Sequence, residues 1–203
     1  MQPYILIADD HSIIRKGLRL FLQFNLGYNF VHEVSTCNDL MKELVKKKYS
    51  HLILDIILAD GNILEVLPNI RKVYPEINIM MFSMQPVEIY GEAVKQYGIY
   101  YYLSKSAGEE EMSQLLQHFI QNNAPLIKKN VLQNSGNPFS ALTPRELEIL
   151  HYLLKGAGTK QISETLNLKM NTVSTVKNRI FEKTNVANFK ELIELATLYN
   201  VNY

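Results

Sequence analysis

Five short apolar runs alternate along the first part of the chain with stretches whose apolar residues recur at helical spacing. The runs cover residues 4–8, 30–34, 51–54, 77–82 and 100–104. Continuous apolar runs of this length, separated by helix-length segments, are the pattern of parallel strands buried on both faces. Between them, Ile13, Ile14, Leu18, Phe21 and Leu22 form one helical stripe, Leu40, Leu44 and Val45 a second, and Ile63, Leu64, Val66, Leu67 and Ile70 a third. A further helix is expected near 87–97, and Met112, Leu115, Leu116, Phe119 and Ile120 follow an i, i+3, i+4, i+7, i+8 order. These five β-α units predict an α/β domain, a doubly wound five-stranded parallel sheet with right-handed crossovers.

The pattern changes after residue 122. Residues 121–138 are polar and interrupted by Gly and Pro, and downstream only helical periodicities remain. The expected division is therefore a first domain over 1–122, a linker over 123–140 and a small all-α domain over 141–203. Thr143, Pro144 and Glu146 fit a capping box with Thr as N-cap, Pro at the first helical position and Glu at the third. The stripe Leu147, Ile149, Leu150, Leu153, Leu154 makes the helix that follows, and Gly156 to Gly158 ends it. A second helix is expected from Thr159 to about Leu166. A third carries Val173, Val176, Ile180 and Phe181 inward, and its start is expected late, capped by Asn171.

Charge separates the two halves although the chain of 203 residues has a net charge of only +1. Residues 1–122 carry an acidic excess of about three, and both later segments are basic by about two. Cys37 is the only cysteine, which excludes an intrachain disulfide and a cysteine zinc motif. No apolar run approaches the roughly 18 residues of a membrane span, and the start lacks a signal-peptide pattern. A cytoplasmic protein without a membrane partner is expected.

Four apolar runs end on residues with chemistry: Asp9 and Asp10 after the first, Asp55 after the third, Ser83 after the fourth and Lys105 after the fifth. In a 2-1-3-4-5 strand order the first and third strands are neighbours, so the carboxylates meet at the edge where α/β sheets bind ligands. Singly, each Asp reads as a turn residue or cap, Lys105 as a surface lysine and Ser83 as a strand-end hydroxyl. Together they need a cation, because like charges about 4 Å apart repel by roughly 4 kcal/mol at an effective dielectric near 20. Hard carboxylate oxygens suit Mg²⁺, and a free carboxylate beside it can accept a phosphoryl group. An ammonium and a hydroxyl can hold phosphoryl oxygens.

On these residues, and on Tyr102-Leu-Ser-Lys105 at the fifth strand, the first 122 residues resemble the receiver domain of bacterial two-component response regulators. The resemblance implies a flavodoxin-like fold with Asp55 as phosphoacceptor. It further implies Mg²⁺ held by Asp10, Asp55 and the Ile57 carbonyl, with Asp9 acting largely through water. Ser83 and Lys105 would bind the phosphoryl oxygens, and Tyr102 would be the aromatic that moves inward with Ser83. The chain departs from the family after Asp55: Ala59 replaces a usual Pro and Ile63 a usual Gly, while Asp60-Gly61 supplies its own turn. Ile57 also sets an apolar side chain where water would attack an acyl phosphate.

The C-terminal helices suggest a helix-turn-helix, with a small helical bundle as the alternative. From Leu142 to Ala196 they resemble the LuxR-type DNA-binding domain, on Leu142-Thr-Pro-Arg-Glu146, Ile162 to Leu166, Thr172-Val173 and Lys183. Together the two modules look like a NarL/FixJ-type response regulator. That resemblance implies a helix over about 171–184 in the major groove, with Ser174, Thr175 and Asn178 at base edges. Thr172, Lys177, Arg179, Lys183 and Lys160 would be phosphate contacts. The implied partners are a sensor histidine kinase, DNA with a pseudo-palindromic site, and a second copy of the chain once phosphorylated. Here Lys169 replaces a usual N-cap Ser, Ser174 a common Lys and Val176 a frequent His. A protein-interaction output and an aspartyl-nucleophile phosphatase are the other readings. The expectation is of a regulator rather than an enzyme.

Overall fold

The computed structural model describes residues 2–121 and 137–199. They group into two compact units, 2–84 with 94–121, and 85–93 with 137–199. The boundary expected at 122 therefore leaves out one exchange: residues 85–93, most of the fourth helix, group with the second unit. Most of the expected linker lies outside the described residues.

In the first unit, β1 (Ile5–Ala8), β2 (Val31–Val34), β3 (His51–Leu54), β6 (Asn78–Ser83) and β7 (Tyr101–Ser104) form one sheet in the order β2-β1-β3-β6-β7. All its pairings are parallel. Two further strands, β4 (Ile57–Leu58) and β5 (Gly61–Asn62), form a separate antiparallel hairpin. With the hairpin set aside, the order is the expected 2-1-3-4-5. Helix α4 (Val87–Lys95) belongs mostly to the residues grouped with the second unit, and the helices of the first are α1 (Ser12–Phe24), α2 (Cys37–Lys46), α3 (Ile63–Val73) and α5 (Glu109–Ile120). Their apolar stripes cover the sheet: Leu18 and Leu22 of α1 and Leu116, Phe119 and Ile120 of α5 pack with Ile5, Ile7 and Ile53. Residues of β1 and β3 are almost fully excluded from water, which is why these strands read as unbroken apolar runs.

The sheet's hydrogen bonding continues one residue beyond three strands. Asp9 N donates to Val34 O at 3.2 Å, Asp55 N to Ala8 O at 2.8 Å and Lys105 N to Ser83 O at 3.0 Å. Asp9, Asp55, Ser83 and Lys105 are thus fixed by their backbones at the carboxyl edge.

The second unit is helical: a 3₁₀ turn, Pro138–Ala141, then α6 (Pro144–Leu154), α7 (Thr159–Thr165), α8 (Met170–Thr184) and α9 (Phe189–Leu198). The folded part begins earlier than expected, because Phe139 is wholly buried and its ring meets Tyr199 edge-on, centroids 6.0 Å apart. Asn137 caps this turn by accepting from Phe139 N at 2.9 Å. The capping box at Thr143 and Glu146 is present. Helix α8 starts at Met170 and not at Asn171. Asn167 turns the chain with φ of 50° and Leu168 N closes on Ser163 O at 2.8 Å. That turn leaves Lys169 extended as the N-cap, without a side-chain hydrogen bond. Among the described residues no helix is long and apolar enough to cross a membrane.

Candidate functional site

At the carboxyl edge of the first unit Lys105 bridges two carboxylates. Its Nζ lies 2.5 Å from Asp55 Oδ2 and 2.6 Å from Asp9 Oδ2, and all three side chains are nearly fully buried. Ser83 Oγ donates to the other Asp55 oxygen at 2.5 Å, and the Ile56 N–H donates to the same oxygen at 2.7 Å. Burial pushes the Asp55 carboxyl pKa up, against the pull of Lys105 and Ser83. Burial pulls Lys105 down, yet Asp55 and Asp9 outweigh it and hold the ammonium above its ordinary pKa. The arrangement is a nucleophile-sized carboxylate whose two oxygens are each covered by a hydrogen-bond donor.

Asp10 stands beside this core, partly exposed, with its Oδ1 2.6 Å from His11 Nδ1. The cap role open to it in the sequence is not what the structure shows: α1 has His11 at its N-cap without a side-chain cap. Asp9 Oδ1 instead accepts the His11 N–H at 2.8 Å. Among the described residues, Asp9, Asp10, His11 and Asp55 offer ligand atoms that all lie within 4.8 Å of one another. Three carboxylates at that separation fit a hard divalent cation. His11 joins this cluster, although an imidazole directly after two carboxylates carries no signal of its own in the sequence.

The segment after Asp55 is built differently from the family pattern. Ile57 pairs with Asn62 and Leu58 with Gly61 across the hairpin, and Gly61 has φ of 152°, a value side chains disfavour. Asn62 is buried and caps α3 by accepting from Leu64 N at 2.9 Å. Asp60 at the hairpin tip accepts from Cys37 N at 2.6 Å and Asn38 N at 3.0 Å, the first turn of α2. A carboxylate on two N–H groups of a helix's first turn is a favourable cap. It ties the loop that carries Ile57 to that helix. Tyr102 lies in β7, half-buried.

In the second unit α8 buries Val173, Val176, Ile180 and Thr184 on one face. Thr172, Ser174, Thr175, Asn178 and Arg179 are exposed, as are Lys160 at the start of α7 and Asn171. Three of the expected phosphate contacts have intramolecular partners, the loosest being Lys160, whose Nζ lies 4.0 Å from Glu164 Oε1. Lys183 Nζ lies 2.7 Å from Glu146 Oε2 and donates to Ala141 O at 3.2 Å. Lys177 Nζ sits 5.4 Å from the Phe181 ring centroid. Burial raises the Glu146 pKa, but Lys183 and Thr143 outweigh it and hold this carboxyl below its ordinary value.

Comparison with known proteins matches both units. The response regulator receiver domain model covers residues 5–117, and the model of bacterial regulatory proteins of the luxR family covers 140–196. The response regulator UvrY of Escherichia coli K12 is 28% identical over 95% of this chain and 92% of its own. The oxygen regulatory protein NreC of Staphylococcus carnosus is 28% identical over 95% of each. Among solved structures, RcsB of Salmonella enterica serovar Typhimurium, bound to promoter rprA with phosphomimetic BeF₃⁻, superposes with a TM-score of 0.75. It is 23% identical and covers 97% of this chain and 99% of its own, a likeness of fold.

Proposed function

Since the chain belongs to the response regulators of the NarL/FixJ type, a receiver domain followed by a LuxR-type DNA-binding domain, we propose that Asp55 is its phosphoacceptor and that phosphorylation controls DNA binding. The observation that carries this reading is the double contact of Lys105 with Asp9 and Asp55 while Ser83 holds the second Asp55 oxygen. An Asp55 oxygen attacks the phosphorus of a phosphohistidine on a sensor histidine kinase. The P–N bond breaks, the kinase imidazole leaves with its electron pair, and an acyl phosphate forms.

Lys105 and Ser83 already point their donors at the Asp55 oxygens, so each needs only a short displacement to reach a phosphoryl oxygen. Preorganised donors of this kind favour charge that develops at the reacting group. Asp10, Asp55 and the Ile57 carbonyl would hold Mg²⁺, with Asp9 acting through water, and the ion would neutralise phosphoryl charge. Drawing Ser83 toward the phosphate frees space that Tyr102 takes up, and this shifts a two-state equilibrium of the receiver. The output is association of two chains and occupancy of a pseudo-palindromic DNA site by two copies of α8. We read the chain as a cytoplasmic regulator without enzymatic turnover.

The test is to phosphorylate the full chain with a small-molecule phosphodonor and Mg²⁺ beside Asp55→Asn. Phosphate uptake, dimerisation and DNA binding are then measured on the same samples. Uptake, dimerisation and tighter DNA binding in the parent, all lost in the variant, are expected. A parent that takes up no phosphate overturns the reading.

A further inference from the structure

We infer that the DNA site read by α8 has a core of A·T base pairs, recognised by the carboxamides of Asn171 and Asn178 and by the methyl group of Thr175. This rests on the reading that α8 enters the major groove, and it assigns the base chemistry selected there. With Val173, Val176, Ile180 and Thr184 turned inward, the helical period of 100° per residue sets Asn171, Thr175 and Asn178 along the opposite face. All three are exposed. Seven residues of α-helix rise roughly 10 Å, the length of about three base-pair steps, so one stripe spans a short contiguous core.

The available chemistry narrows what that core can be. A carboxamide pairs with adenine through N6 and N7, whereas guanine is read by Arg or Lys on O6 and N7. Among the described residues the Asn171 and Asn178 side chains have no partner, so both amides are free to make that pair. Thr175 Oγ1 donates to Asn171 O at 2.8 Å within the helix. Its hydroxyl hydrogen is committed there, and the methyl group is the part left for a base, where it matches the C5-methyl of thymine. The cations lie elsewhere: Lys183 is on Glu146, Lys177 is over Phe181, and Arg179 sits on the flank of the stripe beside the phosphate-facing Thr172. Glu182, further along the outward face and exposed, repels phosphate and confines reading to the part of the helix before it.

The experiment selects duplexes from a randomised library with the full chain at low salt, then measures affinity by fluorescence anisotropy for the parent, Asn178→Ala and Thr175→Ser. The expected core is A·T. Asn178→Ala should weaken binding to the selected duplex roughly 5- to 100-fold and level the preference at one pair. Replacing the core thymines by deoxyuridine should cost the parent about fourfold per contacted methyl and cost Thr175→Ser nothing further. Thermal unfolding of both variants should match the parent, since each site is exposed. A G·C core would assign the reading to Arg179 and overturn the inference. So would Asn178→Ala weakening all duplexes equally, or a parent indifferent to uracil. Retention of no duplex at all would remove the DNA-binding reading itself, and the inference with it.

Discussion

Replacing Asp60 tests whether the hairpin after Asp55 is held by the cap it makes on α2. Asp60 accepts two main-chain N–H bonds, at 2.6 and 3.0 Å, from residues more than twenty positions earlier. Loss of a helix-capping acceptor costs about 0.5–2 kcal/mol, and two charge-assisted bonds place Asp60→Ala in the upper half of that range. Exposure of Asp60 to solvent keeps the value from going higher. About 1–2 kcal/mol should lower the melting temperature of the receiver by roughly 4–12 °C. The second consequence concerns the cation. If the tether keeps the Ile57 carbonyl in place, its loss lowers the fraction of molecules with a competent loop, and apparent affinity falls in proportion to that fraction. An equilibrium shifted by 1–2 kcal/mol can weaken Mg²⁺ binding by up to about 5- to 30-fold. The assay is thermal unfolding across a Mg²⁺ titration, fitted for both melting temperature and midpoint. A lowered melting temperature with an unchanged Mg²⁺ midpoint would refute the link between Asp60 and the metal loop and leave only a helix cap.

Lys105→Ala strands Asp9 and Asp55 without their shared counter-charge, so urea unfolding without Mg²⁺ should show a loss of about 3–5 kcal/mol, partly restored by the ion. Stability equal to the parent would mean that the pair does not support the fold. Ile57 is half-buried two residues past Asp55, and Ile57→Asn should shorten the half-life of the proposed acyl phosphate several-fold by admitting water; a half-life no shorter than the parent's counts against this. Glu146 has a folded pKa below its ordinary value of 4.5. Its contribution is therefore present above pH 4.5 and lost as pH falls through the folded value. Lys183→Gln should flatten that acid limb in a pH series of melting temperatures, and an unaltered limb would separate Lys183 from it.

The sheet was legible in the sequence because its central strands are buried on both faces, leaving unbroken apolar runs that stop at Asp9, Asp55, Ser83 and Lys105. The convergence of those four residues followed from strand order alone. What stayed hidden depends on distant partners. Asp60 was readable as a turn residue, but nothing local reveals that it caps Cys37 and Asn38. The pairing of Lys183 with Glu146 was not readable because the two lie 37 residues apart. The start of α8 is set by backbone geometry that no side chain signals: the turn at Asn167 imposes an extended Lys169, which stands at the N-cap without a side-chain hydrogen bond. The two-residue strands of the hairpin are too short to show any alternation of their own.

Lys105 also separates the supply of this regulator from its use. One internal ammonium already serves two buried carboxylates, so the chain leaving the ribosome can complete its fold without waiting for a divalent ion. Under the proposed reading, loss of magnesium would then suspend phosphorylation without unfolding the chain, and its return would restore the response with no new synthesis.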